Sequence, residues 1–216
     1  MSVRTLNDRS TPATRRLPAA ARREQILDRA SELITESGLA RLTMKRIAAR
    51  VGFTETAIYR HFPTKQSLLL GLMGRLETQL LVPARAIAAN AALPADRRLR
   101  EAVQHHLSTV LVRNSLSIQL LAEAAAAGDP VLLSRMRRVM RGYMDLLTGL
   151  AREAAATGGV SADADPSVVA MWLLGGPAAM AIQRRLRLDP AVERRVAGLM
   201  VPFMFDLLLR SCSSPD

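Results

Sequence analysis

In LTMKRIAARVGFTETAIYRHFPTKQSLL, residues 42–69, a threonine stands immediately before each of three short runs with helical periodicity, at Thr43, Thr54 and Thr64. A threonine there accepts from an otherwise orphaned amide of the first helical turn. Leu42 with Ile47, and Phe53 with Ile58, have the spacing of hydrophobic staples around the first two caps. Gly52 can end the first run in a left-handed conformation, and Pro63 closes the second. The spacing predicts one helix from just after Thr43 to about Val51 and a second over Glu55–His61. Two short helices joined by a glycine turn form a helix-turn-helix, whose second helix lies in the DNA major groove.

Around this motif the pattern is helical throughout. From Arg22, the residues Ile26, Leu27, Ala30, Leu33 and Ile34 recur on one face, with Glu24, Asp28, Arg29, Glu32 and Glu36 turned outward. Gly38 is placed to end that helix in the left-handed region. Lys65 starts a fourth helix beginning KQSLLLGLMGRLETQLL. Later breaks at Pro94, Gly128-Asp129-Pro130, Gly158-Gly159 and Asp189-Pro190 predict helices near 95–112, 115–127, 131–157, 166–187 and 190–210. Aromatic residues make up only 3% of the chain, against 49% hydrophobic, so a core is available but not the side chains from which sheets are built. The expected fold is all-α.

Charge is unevenly placed. The net charge is +11, and residues 1–65 hold 13 Lys or Arg against 6 Asp or Glu. Such an excess attracts polyanions. Six arginines (Arg4, Arg9, Arg15, Arg16, Arg22, Arg23) fall in the first 23 residues, whose Ser, Thr, Pro and Arg content reads as disordered. That arm is either solvated or reaches DNA. Cys212, the single cysteine, suits a reducing compartment. No signal-peptide pattern is present, and the best membrane candidate, Val168–Ile182, reads as too short and broken by Gly175-Gly176-Pro177. A soluble cytoplasmic protein is expected.

Within the second motif helix, Ala57 and Ile58 face inward, leaving Glu55, Thr56, Tyr59 and Arg60 outward. Arg60 has the fork that binds guanine O6 and N7, Thr56 can meet a base edge or a thymine methyl, and Tyr59 and His61 can donate to phosphate. Glu55 can accept from a cytosine amino group or simply favour the helix N-terminus. Each has a plainer reading: a tyrosine ring packed on a neighbour, a solvated arginine, a histidine closing a helix. As a set they point to a polyanion. Of the 30 basic side chains only Lys45 and Lys65 are lysine, and both sit at helix N-termini, where a cation opposes the dipole. A phosphate or base partner would offset that cost.

Together, Thr43, Ile47-Ala48, Val51-Gly52-Phe53, Ile58-Tyr59 with His61-Phe62, and Lys65 with Leu68-Leu69 resemble the N-terminal domain of the TetR family of bacterial transcriptional regulators, over roughly Arg22–Leu81. The resemblance implies a homodimer whose recognition helices enter successive major grooves of a palindromic operator. It implies phosphate contacts from Thr43, Tyr59, His61 and Lys65, a base or phosphate contact from Lys45, and base reading by Thr56 and Arg60; Thr54 and Glu55 complete the expected DNA-binding set. Glu55 and Arg60 occupy positions that vary among members, so the operator sequence is not implied. The expected division is an arm at 1–21, the DNA-binding domain at 22–65, a helical effector-binding and dimerisation domain at 66–210, and a tail at 211–216.

The C-terminal part carries weaker signals. Met136, Met140, Met144 and Leu147 form a stripe, with Leu121, Leu116 and Val112 available opposite. Such a stripe is ordinarily core, although methionine adapts to varied apolar shapes and suits a lipophilic effector. His106, beside Gln119 or Asn114, is a candidate pocket residue. Adjacent His105 and His106 point to different faces and offer no helical metal pair, so neither metal nor cofactor is expected. Arg135, Arg137, Arg138 and Arg141 form either a solvated face or a site for acyl-CoA phosphates. Trp172, Leu173 and Met180, then Leu199, Met200, Phe203 and Leu207, belong to two helices apolar around much of their circumference, and the resemblance implies a four-helix dimer interface. Gly175 and Gly176 offer close helix approach. No nucleophile elbow, metal spacing or phosphate-cradling loop is present, which argues against an enzyme. The alternative to an effector-released repressor is a DNA-bound protein that recruits a protein partner through its C-terminal helices.

Overall fold

The computed structural model describes residues 18–112, 116–186 and 189–210, and every regular element among them is helical. In chain order these are α1 (Ala19–Ser37), a 3-10 turn (Leu39–Arg41), α2 (Met44–Val51), α3 (Glu55–His61), α4 (Lys65–Ala88), α5 (Ala95–Val112), α6 (Leu116–Ala127), α7 (Pro130–Ala156), α8 (Pro166–Leu186) and α9 (Pro190–Arg210). The arm at 1–17, Asn114 and the tail at 211–216 lie outside the described residues.

The three threonines cap as their positions require. Thr43 Oγ1 accepts from the Arg46 amide at 3.2 Å and Thr54 Oγ1 from the Ala57 amide at 3.2 Å. Thr64 Oγ1 accepts from the Ser67 amide at 3.0 Å while Ser67 Oγ accepts from the Thr64 amide, a reciprocal box. Gly52 ends α2 at φ 80°, ψ 31°, the left-handed region. Gly38 differs from expectation. Its φ of 82° is positive but its ψ of 158° is extended, a combination open essentially to glycine, which turns the chain into the 3-10 segment instead of closing a left-handed cap.

One boundary also differs. Helix α1 starts at Ala19, three residues inside the segment expected to be an arm, with Pro18 as its N-cap residue. Helix α4 continues through Pro83 to Ala88, because Leu80, Leu81 and Ala84 are buried on both sides of the proline and packing outweighs the lost amide. Helix α8, expected near 166–187, runs through Gly175, Gly176 and Pro177 for the same reason: Leu173, Leu174, Met180 and Ala181 are buried around them. From Pro166 to Arg184 it is therefore long and apolar enough to cross a membrane by length and composition, although 33% of its residues are buried inside the fold.

Two cores result. The first joins Ile26, Ala30 and Ile34 of α1, Ile47 of α2, Ile58 of α3 and Phe62 to Leu68, Leu72 and Met73 of α4, and also takes in Leu120 of α6 and Met136 of α7. The second gathers α5, α7, α8 and α9 around Leu99, Leu107, Tyr143, Leu173 and Phe205. Helices α4 and α7 contribute to both, so the N-terminal helices are packed directly on the helices that form the rest of the molecule. Gly71 permits that approach: a Cβ there would lie 3.0 Å from the Phe62 ring and 3.1 Å from Leu27.

Candidate DNA interface and apolar cavity

Helix α3 turns Ile58 fully inward and leaves Glu55, Thr56, Tyr59 and Arg60 exposed. Tyr59 does not pack away: 43% of it is accessible. Thr43, Lys45 and Thr54 are exposed as well. His61 is half-buried, and its carbonyl accepts from Arg23 Nη1 at 2.8 Å, while the Arg23 guanidinium stacks 4.0 Å from the Phe62 ring centre. Both contacts fix α3 and the following turn against α1.

Neighbouring cations are absorbed within the motif. Arg46 donates through Nη1 to Ser37 Oγ and to the Arg41 carbonyl, and Arg50 forms a fork with Glu36 at 2.9 and 2.6 Å. Arg50 holds the Glu36 carboxyl below its ordinary range, chiefly by that hydrogen bond. Lys45 and Arg60 remain on the outer surface; Arg41, exposed and two residues before Thr43, joins them although its spacing gave no signal.

Lys65 is engaged. Its Nζ lies 3.2 Å from Glu123 Oε1 on α6. Beside it Gln66 Nε2 donates to Asp129 Oδ2 at 2.6 Å, and Asp129 caps α7 through the Val131 and Leu132 amides. These donors, Gln66 first, hold the Asp129 carboxyl below its ordinary range. The end of the motif is thus tied to the C-terminal end of α6 and the start of α7. Glu123 has no sequence signature, since it lies 58 residues from Lys65.

Helices α4, α5, α6, α7 and α8 line a partly open cavity of about 130 Å³. Of the expected pocket residues, His106, Met136 and Met140 line it, together with Leu80, Val110, Leu116, Leu121, Tyr143 and Leu174. Gln119 and Met144 do not. Steps of four drift by 40° each, so Met144 stands about 80° from Met136 and packs into the second core, while Tyr143 at i+7 stays in line. A seven-residue step from Met136 would have found it.

His106 is 9% exposed, meets the Tyr143 ring edge-on at 4.8 Å between centroids, and has Nδ1 buried without a partner. Burial, with His105 adding to it, lowers its pKa to about 4, so the imidazole is neutral at pH 7. Burial pushes the Tyr143 hydroxyl up; it donates to the Ala102 carbonyl at 3.1 Å.

The arginine cluster does not face this cavity. Arg135 pairs with Glu77 at 2.5 Å, and Arg137, Arg138 and Arg141 are exposed on the opposite side of α7, around a surface hollow shared with Arg85 and Asp145. Two expected interface residues, Leu173 and Met180, are 0% and 3% exposed in the chain's own core, because they occupy the inner face of α8. Met200 is half-buried against that core. Trp172, Leu199, Phe203 and Leu207 are exposed, accompanied by Val168 and Met171. Gly176 allows close approach, since a Cβ would meet the Met204 and Met200 sulfurs at 2.8 and 2.9 Å, whereas Gly175 faces open space. No group of three or more His, Cys, Asp or Glu that could hold a metal occurs among the described residues.

Residues 26–72 match the model of bacterial regulatory proteins of the TetR family. The chain is similar to the nucleoid occlusion factor SlmA of Shewanella pealeana, with 29% identity over 180 residues, covering 80% of this chain and 89% of that protein. Among solved structures it resembles a TetR/AcrR-family transcriptional regulator from Thermobifida fusca, with 31% identity, 88% and 97% of the two chains covered and a TM-score of 0.65. It also shares its fold with FadR of Bacillus subtilis, solved with stearoyl-CoA, at 19% identity, 86% and 97% coverage and a TM-score of 0.67.

Proposed function

The chain belongs to the TetR family of bacterial regulatory proteins, and from that premise we propose that it is a repressor which binds a palindromic operator as a homodimer and is released by a small lipophilic effector. The observation that carries the DNA reading is the outward set Thr56, Tyr59 and Arg60 on a helix anchored by fully buried Ile58. Arg60 and Thr56 read bases; Thr43, Tyr59, His61 and Lys65 hold phosphates; Lys45 meets a base or a phosphate. The effector occupies the apolar cavity, where α6 both lines the wall and carries Glu123 to Lys65. An expanding ligand that shifts α6 thereby alters the seating of the motif. The exposed face of α8 and α9 pairs with its copy, which also accounts for the apolar character of α8 without a membrane.

Titration of operator DNA selected from genomic fragments tests this. Arg60→Ala is expected to cost about 1 to 3 kcal/mol and to relax specificity at one base pair. Equal, small losses on operator and random DNA would remove its base-reading role.

The similarity to a nucleoid occlusion factor favours a second reading, DNA binding coupled to recruitment of a protein partner. The apolar cavity between the helices speaks for the effector, since recruitment needs no internal space.

A further inference from the structure

We propose that the cavity takes a neutral, single-ring phenol, with the ring among Met136, Met140 and Leu80 and the hydroxyl on Nδ1 of His106. This names a ligand class for the effector site and rests on that reading of the cavity.

Size sets the first limit. At about 130 Å³ the space is close to an engineered apolar cavity of about 150 Å³ in another protein that stays dry and takes up benzene. One ring fits; an acyl chain with a nucleotide head does not. Charge sets the second limit. No charged side chain lines the cavity among the described residues, and the arginines of α7 face away from it. A carboxylate, phosphate or ammonium would lose its hydration here with nothing to replace it.

Polar chemistry sets the third. Tyr143 spends its proton on the Ala102 carbonyl and Thr109 on the His105 carbonyl. His106 Nδ1 is left buried and unpaired, which costs the folded protein unless something completes it. A neutral imidazole presents either an N–H or a lone pair at that atom, and a hydroxyl, which both donates and accepts, satisfies either tautomer. A ketone satisfies one, and a hydrocarbon neither. The thioethers of Met136 and Met140 and the aromatic edge of Tyr143 favour an aromatic ring over an alkyl body.

Isothermal titration calorimetry of the full chain with 4-methylphenol, toluene and benzoate provides the test. The phenol is expected to bind at least tenfold more tightly than toluene, benzoate not measurably, and the preference for the phenol to vanish in His106→Leu, which keeps an apolar side chain of similar bulk. A preference that survives His106→Leu, or benzoate binding as well as the phenol, overturns the proposal. If His106→Leu does not fold, the wild-type imidazole ¹⁵N resonances decide: the Nδ1 signal of His106 must move with 4-methylphenol and not with toluene, and an unmoved signal overturns the proposal. Release of operator DNA is read separately. Phenol binding at His106 without release keeps the ligand class and overturns the effector reading; release by another compound, with no phenol binding, does the reverse.

Discussion

At the scale of single residues, His106 and Lys65 each sit where two demands meet. His106 is held neutral, with a pKa of about 4 against an ordinary 6.5. Between those values the unfolded chain binds a proton that the folded chain refuses, so stability is complete above pH 6.5 and falls as the pH drops toward 4. Two and a half pH units correspond to about 3 kcal/mol at most. Urea unfolding at pH 7 and pH 4.5 is expected to show this loss in the wild type and a much smaller one in His106→Leu. The carboxylates held low, Asp129, Asp165 and Glu36, begin to lose their contribution as the pH falls through their ordinary values, 3.8 for the two aspartates and 4.5 for Glu36, so that of Glu36 overlaps the acid end of this window and is common to both proteins. If it holds a DNA phosphate as proposed, Lys65 has to choose between that phosphate and Glu123. The pair is partly exposed, and such pairs contribute about 0 to 1 kcal/mol. Glu123→Gln should therefore tighten DNA binding by up to about fivefold on all sequences alike, while Lys65→Ala weakens all alike and lowers the salt slope by about one. Unchanged affinity for Glu123→Gln in anisotropy titrations would show that the bridge does not compete with DNA.

Individual elements bring their own constraints, and here the sequence speaks most clearly. Thr43, Thr54, Thr64 and Gly52 declare the ends of α2, α3 and the start of α4, because caps and positive φ are local chemistry decided within four residues. Thr54→Ala should cost about 1 kcal/mol of stability in thermal or urea unfolding. Gly52→Ala meets no steric obstacle within 4 Å, yet should cost about 1 to 2 kcal/mol from its φ of 80° alone. A Gly52→Ala protein as stable as the wild type would mean that α2 ends differently. What the sequence hides is non-local. Prolines 83 and 177 fall inside helices and are carried through by packing on residues distant in sequence. The inner and outer faces of α8 look equally apolar along the chain, and only the fold shows that Leu173 and Met180 point in while Trp172 points out. Likewise, cavity lining depends on which face of α6 meets α7, which separates Ser117 from Gln119 and Tyr143 from Met144.

For the whole molecule, the proposed assembly rests on the distribution of exposed apolar surface. Val168, Met171, Leu199 and Phe203 are 66%, 60%, 58% and 62% exposed, on two helices whose other faces form the second core. In the proposed homodimer this patch meets its own copy about a twofold axis, since the same residues then serve both sides. Two reading helices held in one body bind two half-sites with the second event intramolecular, so affinity depends on the pairing. Val168→Glu with Phe203→Glu places a charge on each helix of this face without touching the core. Sedimentation velocity should then show a monomer of native helical content, and operator affinity should fall by about a hundredfold or more while the weak binding to a single half-site is retained. Leu173→Glu is the contrasting case. Buried at 0% exposure in the chain's own core, it should lose helical content before any question of pairing arises. A double variant that still sediments as a dimer would move the interface off α8 and α9, and with it the argument that these helices set the spacing of the two DNA-reading helices.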